Sequence, residues 1–270
     1  MNWRFSFSRS SLAYWQGRLG VWASVLLLIT LLIVVPIWFV WFVFFTSTFT
    51  VQSITITDAR EHTIEQVREL ASNLIGRNMF FLSTDALTSK ITSSLSQVRD
   101  AYIVRSLPGT LKIIVQEKDP TLLLLSNKKY YFVDNNGVAY EEARLEILPD
   151  VVLPVVKNTD PEAKLTLGTA VVETSFVDFL LLAEEQLPEV TQAHIVETRI
   201  PSLSAREVHF LLDNNWEIKL DATRSLTTQL NVLRVLLSTT ISSDDKGLIE
   251  YIDLRIPGRV YYKLRGASEQ

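Results

Sequence analysis

The sequence predicts an α+β protein: one N-terminal transmembrane helix, then a small β-α-α-β-β domain, then a larger β-domain with flanking helices. Three observations carry this. Residues 21–45 form a run of 25 without a single charge. Between residues 51 and 116, alternating β-prone segments bracket two stretches with helical spacing. Beyond Pro120, short alternating segments recur with two further helix stripes among them.

As a helix, the apolar run is about 37 Å long at about 1.5 Å per residue, against a hydrocarbon core of about 30 Å. It reads as a retained anchor. A cleaved signal has an apolar core of about 7–15 residues and a small-residue cleavage pattern, which Thr46, Ser47 and Thr48 do not supply. Trp22 lies near one end, and Trp38, Phe39, Trp41, Phe42, Phe44 and Phe45 near the other, as in an interfacial aromatic belt. Pro36 is tolerable within a span. Arg4, Arg9 and Arg18 are the only charged residues before Asp58. A short basic flank stays in the cytoplasm, so residues 1–20 are expected inside and the rest outside.

After residue 45 the chain carries 23 basic and 30 acidic side chains. That balance gives no footprint for nucleic acid. The absence of cysteine excludes thiol nucleophiles, thiolate metal sites and a disulfide framework. The external part must therefore hold together through its core, and it is long enough to do so.

Residues 51–57 alternate and are β-branched, which predicts a strand. Residues 62–75 predict a helix with Ile64, Val67, Leu70 and Leu74 as its stripe, Thr63 and Gln66 as a capping box, and Gly76 as its stop. A second helix has Asp85 near its start and Leu87, Ile91 and Leu95 at four-residue spacing. Strands over 101–107 and 111–116 meet across Pro108 and Gly109. Further on, 122–125 and 130–133 are strand-like, and 134–137 (DNNG) has hairpin-turn chemistry. Pro149, Pro154 and Pro161 predict a loop region. Residues 172–187 predict a helix with Phe176, Phe179, Leu180 and Ala183 inward. Strands follow near 195–200, 208–212 and 216–220, then a helix stripe of Leu226, Leu230, Leu233 and Leu237. The chain closes with strands over 249–256 and 259–264 around Pro257 and Gly258. The domain limits expected are 1–20 for the tail, 21–45 for the span, 49–119 and 120–266 for the two external domains.

Ser126 and Lys129 fit S-x-x-K, the catalytic pair of penicillin-interacting enzymes. That motif opens a helix there, whereas here it falls between two strands, without S-D-N or K-T-G. His62, His194 and His209 are scattered outside any zinc-type spacing. Glu184–Glu185 and Asp244–Asp245 are adjacent pairs that cannot face one another across a substrate. No glycine pattern fits a phosphate loop. The residues thus yield no catalytic site, no metal site, no cofactor and no small-molecule substrate. What remains is the last strand, which often lies at a sheet edge and can accept a partner's strand, with Tyr261 and Tyr262 as aromatic anchors. The same alternation equally fits tyrosines that simply cover the sheet faces.

The segments VQSITIT, GRNMFFL, V-R-x-L-P-x-T-L-K-I-I-V-Q-E-K-x-P (104–120), YFVDNNGVAY (131–140) and YIDLRIPGRVYYK (251–263) follow one another in an order that resembles the bacterial cell-division family FtsQ/DivIB. The resemblance covers nearly the whole chain. It implies that the first external domain is a POTRA domain and the second the family's β-domain. It also implies a non-enzymatic scaffold at the division septum of the bacterial cell membrane, binding FtsB-like and FtsL-like single-span coiled-coil proteins and other divisome membrane proteins. In that family the partner adds a strand to the last strand, near the arginine of the D-L-R segment. Carried over residue by residue, the contact residues are Arg255, Ile256, Val260, Tyr261, Tyr262 and Lys263. Arg255 would offer a fixed charge to a partner carboxylate, and Tyr261 or Tyr262 the anchor. Two rivals remain: a membrane-anchored cell-wall serine hydrolase or transpeptidase using Ser126 and Lys129, and an outer-membrane assembly factor, whose barrel would need more strands than follow Pro120.

Overall fold

A computed structural model describes residues 9–144, 152–242 and 244–266. Pro149, in the proline-rich stretch, lies outside the described residues. Helix α1, Arg9–Phe45, extends the apolar run N-terminally by three turns. Within it, Ser24–Phe45 is the part long and apolar enough to cross a membrane, with mean hydropathy 2.8 and no residue buried by the rest of the chain.

Backbone packing divides the chain into two compact units, 1–91 with 100–115, and 92–99 with 116–270. Residues 92–99 therefore pack with the second unit. Hydrogen bonds account for it: Ser96 Oγ donates to the Tyr140 carbonyl at 2.6 Å, and the Lys118 amide to the Gln97 carbonyl at 2.9 Å.

In the first unit, strands β1 (Ser53–Thr57), β2 (Val98–Ser106) and β3 (Thr110–Glu117) form a sheet in the order β1-β3-β2. β1 runs parallel to β3, with Ile54 opposite Leu111 and Ile56 opposite Ile113. Two helices, α2 (Glu61–Ala71) and α3 (Thr84–Ser94), fall between β1 and β2 in the chain, so the order is the expected β-α-α-β-β. Val67, Ala71, Met79, Ile91, Leu111 and Ile113 are the buried interior. The expected capping box is corrected. Helix α2 starts two residues before Thr63, its N-cap is Arg60, and no side chain caps it. Thr63 is instead fully buried, one of the stripe Thr63, Val67 and Ala71 at four-residue spacing. A β-branched side chain of valine's shape fills that inward position. The helix then tightens into a 3-10 turn, Ser72–Leu74, and Gly76 reverses the chain at φ +84°.

The second unit is built on a ten-stranded sheet. Its strands are β4 (Leu122–Ser126), β5 (Lys129–Val133), β6 (Val138–Glu142), β7 (Val155–Asn158), β8 (Thr169–Ala170), β9 (Ile195–Ile200), β10 (Glu207–Leu212), β11 (Glu217–Asp221), β12 (Ile249–Asp253) and β13 (Tyr261–Leu264). They lie in the order β13-β12-β11-β10-β9-β7-β4-β5-β6-β8. Helices α4 (Thr174–Thr191) and α5 (Leu226–Val235) pack on each other and on the core face, burying Phe176, Phe179, Leu180, Ala183, Leu187, Leu226, Leu230 and Leu233 against Phe210, Ile218, Leu220, Ile249 and Ile252. The last turn of the α5 stripe, which includes Leu237, continues as a π-helix, Leu236–Thr240.

Strand β7 falls where the prolines predicted loop. It sits centrally, parallel to both β4 and β9. Pro154 stands immediately before its first residue, where a missing N–H costs the ladder little. The turn at 134–137 does join a hairpin, β5 to β6, with the Asp134 carboxylate accepting from the amides of Asn136 (2.9 Å) and Val138 (3.0 Å).

Candidate partner-binding edge

Among the described residues, strand β13 has one neighbour. It pairs antiparallel with β12, placing Tyr261 opposite Asp253, Tyr262 opposite Ile252, Lys263 opposite Tyr251 and Leu264 opposite Ile249. Among the described residues no strand lies on its outer side. At the other end of the sheet, β8 is only two residues long, so β13 is the longer open edge.

Directly opposed residues share a face, so the register sorts the two tyrosines. Tyr262 shares the face of Ile252, which is fully buried, and Val260 and Leu264 pack against the core on that side. Tyr261 lies on the polar face with Asp253. Both are well exposed, at 44% and 41%. The Arg259 guanidinium approaches the Tyr261 hydroxyl at 3.4 Å, and the Lys263 ammonium reaches Glu250 at 3.1 Å.

The turn between β12 and β13 is fixed by charge. Arg255 donates from Nε to Asp253 Oδ1 (2.9 Å), from Nη2 to Asp253 Oδ2 (2.6 Å), and from Nη1 to Glu207 on β10. Its amide also bonds Asp253 Oδ1 at 3.0 Å. Hydrogen bonds and charge from the two carboxylates push the guanidinium pKa further up. Burial raises the Asp253 carboxyl, but the side-chain and backbone hydrogen bonds from Arg255 outweigh it and hold the group below its usual value. The Arg224 guanidinium donates to the carbonyls of Leu254 (2.9 Å) and Arg255 (3.2 Å), and Gly258 turns the chain at φ +72°. Ile256 is 47% exposed at the lip of a 160 Å³ hollow lined by Val232, Leu254, Gly258, Val260 and the arginines 224 and 259.

The six expected contact residues thus fall into one stretch from the turn to the edge. The fixed charge expected at Arg255 is already neutralised within the chain. Asp253, two residues earlier on the same strand face, was legible as its partner; Glu207 was not, because only the fold brings β10 near.

The S-x-x-K residues lie elsewhere. Ser126 ends β4, is 1% exposed, and receives a hydrogen bond from Asn158 Nδ2 at 3.2 Å. Asn127 and Lys128 form the left-handed turn to β5, at φ 51° and 66°. The Lys129 ammonium bonds Glu142 at 2.9 Å, and this hydrogen bond and charge hold its pKa above the ordinary value. A serine-activating base needs the opposite shift.

The comparisons with known proteins agree with one another. A family model described as POTRA domain, FtsQ-type, matches residues 49–118, and one described as cell division protein FtsQ/DivIB, C-terminal, matches residues 123–255. The second match stops at Arg255, before β13. The cell division protein FtsQ of Streptomyces collinus is 27% identical over 128 residues, 47% of this chain and 48% of that protein. FtsQ of Streptomyces bingchenggensis is 23% identical over 162 residues, covering 60% and 59%. The cell division protein DivIB of Clostridium tetani is 27% identical over 94 residues, 35% of each chain. The matched part of the chain spans about half the length of the first two relatives. With residues 49–118 and 123–255 matched in order by models of one family, the chain belongs to the FtsQ/DivIB family of cell-division proteins.

Proposed function

We propose that this protein is a non-enzymatic scaffold of septum assembly, anchored in the cell membrane with its N-terminus in the cytoplasm, that receives a strand from a small single-span division protein of the FtsB or FtsL type on the open side of β13. The observation that carries the proposal is the end position of β13 in the sheet. β13 has four residues, two of which turn their N–H and C=O outward; about four added ladder bonds at about 0.5–1.5 kcal/mol each contribute roughly 4 kcal/mol, which is only about millimolar affinity before association costs. Side chains must supply the rest. Tyr261 offers its ring on the polar face and Tyr262 on the core face, so a strand laid along the edge meets one anchor on each side. Ile256 and the hollow beside it extend the apolar contact. Arg255 ties the start of the turn to β12 and β10 rather than offering a free charge.

Adjacent residues of a strand point their amides in opposite directions. Of Tyr261→Pro and Tyr262→Pro, one therefore removes a donor from the open edge and the other a donor from the β12 ladder. The outward variant should abolish capture of the small partner in co-purification while urea denaturation stays near the parent. If both variants remain folded and capture as well as the parent does, strand addition at β13 is wrong. Covalent labelling of Ser126 by a β-lactam probe would favour the hydrolase instead.

A further inference from the structure

The first unit carries an apolar loop with no role in the edge just described. Residues 75–82 (IGRNMFFL) expose Ile75 at 59%, Phe80 at 43% and Phe81 at 71%. Soluble surfaces seldom gather large apolar side chains in this way without an occupant. The position of the loop identifies one. The apolar part of α1 is 22 residues, about 33 Å at about 1.5 Å per residue, so its end at Phe44 and Phe45 falls at the membrane–water interface. The Phe44 ring lies 5.2 Å from that of Phe81 and 6.0 Å from that of Phe80, and the Phe49 ring lies 5.5 Å from Phe80. Phe80 and Phe81 therefore stand at the depth at which the span ends.

The loop is held there by polar bonds. Asn78 Nδ2 donates to the carbonyls of Val43 (3.1 Å) and Phe44 (3.2 Å), two acceptors that the end of a helix leaves without intrahelical partners. The Val51 amide donates to the Arg77 carbonyl and the Gly76 amide to the Val51 carbonyl, each at 2.9 Å. From the other side, Arg105 donates to the carbonyls of Met79 (3.0 Å) and Leu82 (2.6 Å). The Arg77 side chain is exposed and borders the same hollow as Phe81, which would bring a cation to the level of lipid phosphates.

We propose that residues 75–82 are a second membrane-contact element. Phe80, Phe81 and Ile75 enter the interfacial layer of the leaflet where α1 emerges, Arg77 meets headgroup phosphate, and the small domain is seated on the lipid instead of swinging on a tether. This rests on α1 crossing the bilayer, and the test separates the two. The chain lacks cysteine, so single cysteines carry a dye uniquely. Full-length protein with Phe81→Cys, Ile33→Cys or exposed Glu65→Cys is labelled with NBD and reconstituted alone into nanodiscs of zwitterionic and anionic phospholipid.

The dye at 81 should emit at shorter wavelength than at 65. It should be quenched by doxyl groups near the headgroup, and its quenching by aqueous iodide should be several-fold weaker than at 65. The dye at 33 should be reached only by deep doxyl groups. If 33 is deep and 81 is as open to iodide as 65, the loop does not touch lipid and the proposal falls, whatever protein partner covers it. If 33 is itself open to iodide, the span fails and the proposal with it. Phe81→Ser removes a side chain that is 71% exposed. It should keep the unfolding transition of the parent while faster amide exchange appears at residues 75–82 of the full-length chain in nanodiscs; equal exchange of parent and variant in nanodiscs would also overturn the proposal.

Discussion

Asp253 stands two residues before Arg255 and carries it with a paired hydrogen bond, while Glu207 closes on the same guanidinium from β10. Removing that fork leaves a partly buried carboxylate without its donor. Arg255→Gln is expected to cost about 1–3 kcal/mol in urea denaturation, the range for leaving a buried polar group without its partner. Partner capture should fall only as far as the turn loosens, and Arg255→Lys, which cannot form the fork, should resemble Gln more than the parent. Glu197 gives a pH prediction on the same face. Hydrogen bonds from Arg199 (2.8 Å) and Lys157 (2.9 Å) lower its carboxyl to about 2. Its unfolded value is about 4.3, so the folded chain binds the proton less readily. The stabilisation is complete above the unfolded value and is lost as pH falls through about 2. Carboxyl NMR of Glu197 should show its midpoint near 2, and Arg199→Gln should move it upward. At this scale the sequence marked the charged residues but not their partners. Strand alternation reveals Asp253 beneath Arg255 and Glu197 beside Arg199, whereas Lys157 joins that pair only because β7 lies beside β9.

Secondary elements were readable where their local chemistry was strong. The four-residue stripe of α5, the inward set of α4 and the DNNG turn all stand where expected. β7 was hidden because four residues between prolines carry too short a pattern, and its place between β4 and β9 comes from parallel pairing, which leaves no local mark. The Thr63 capping reading failed for a related reason: a Thr with Gln three residues later also fits a helix interior, and burial decided between them. Gly137 shows what a turn demands beyond propensity. It sits at φ +76°, and a Cβ there would lie 2.1 Å from the Val172 carbonyl oxygen. Gly258, at φ +72°, has open space around its would-be Cβ. Gly137→Ala should therefore destabilise the second unit by more than about 2 kcal/mol, from strain and clash together. Gly258→Ala should cost only the left-handed penalty of about 1–2 kcal/mol. Chemical denaturation of the two variants side by side checks the difference. Equal losses would mean that the Val172 strand of chain yields freely.

For the molecule as a whole, the anchor and the two-unit order follow from features that need no tertiary context: an uninterrupted apolar run, and a switch from helix-interleaved to strand-dominated pattern. The direction of insertion is likewise a charge argument. Arg4, Arg9 and Arg18 precede the span with no compensating carboxylate, and the following part of the chain is net acidic, which is why the proposed topology keeps the basic end in the cytoplasm. The absence of cysteine allows a direct check. In intact cells made permeable only at the outer envelope, a membrane-impermeant maleimide should label Glu189→Cys, an exposed position on α4, and leave Ser8→Cys unlabelled until the cell membrane is lysed. Replacing all three arginines by Glu removes the retention signal and should transfer labelling toward Ser8→Cys. If Ser8→Cys reacts before lysis in the otherwise unchanged chain, the second unit faces the cytoplasm, and a strand offered by a partner outside could not reach β13.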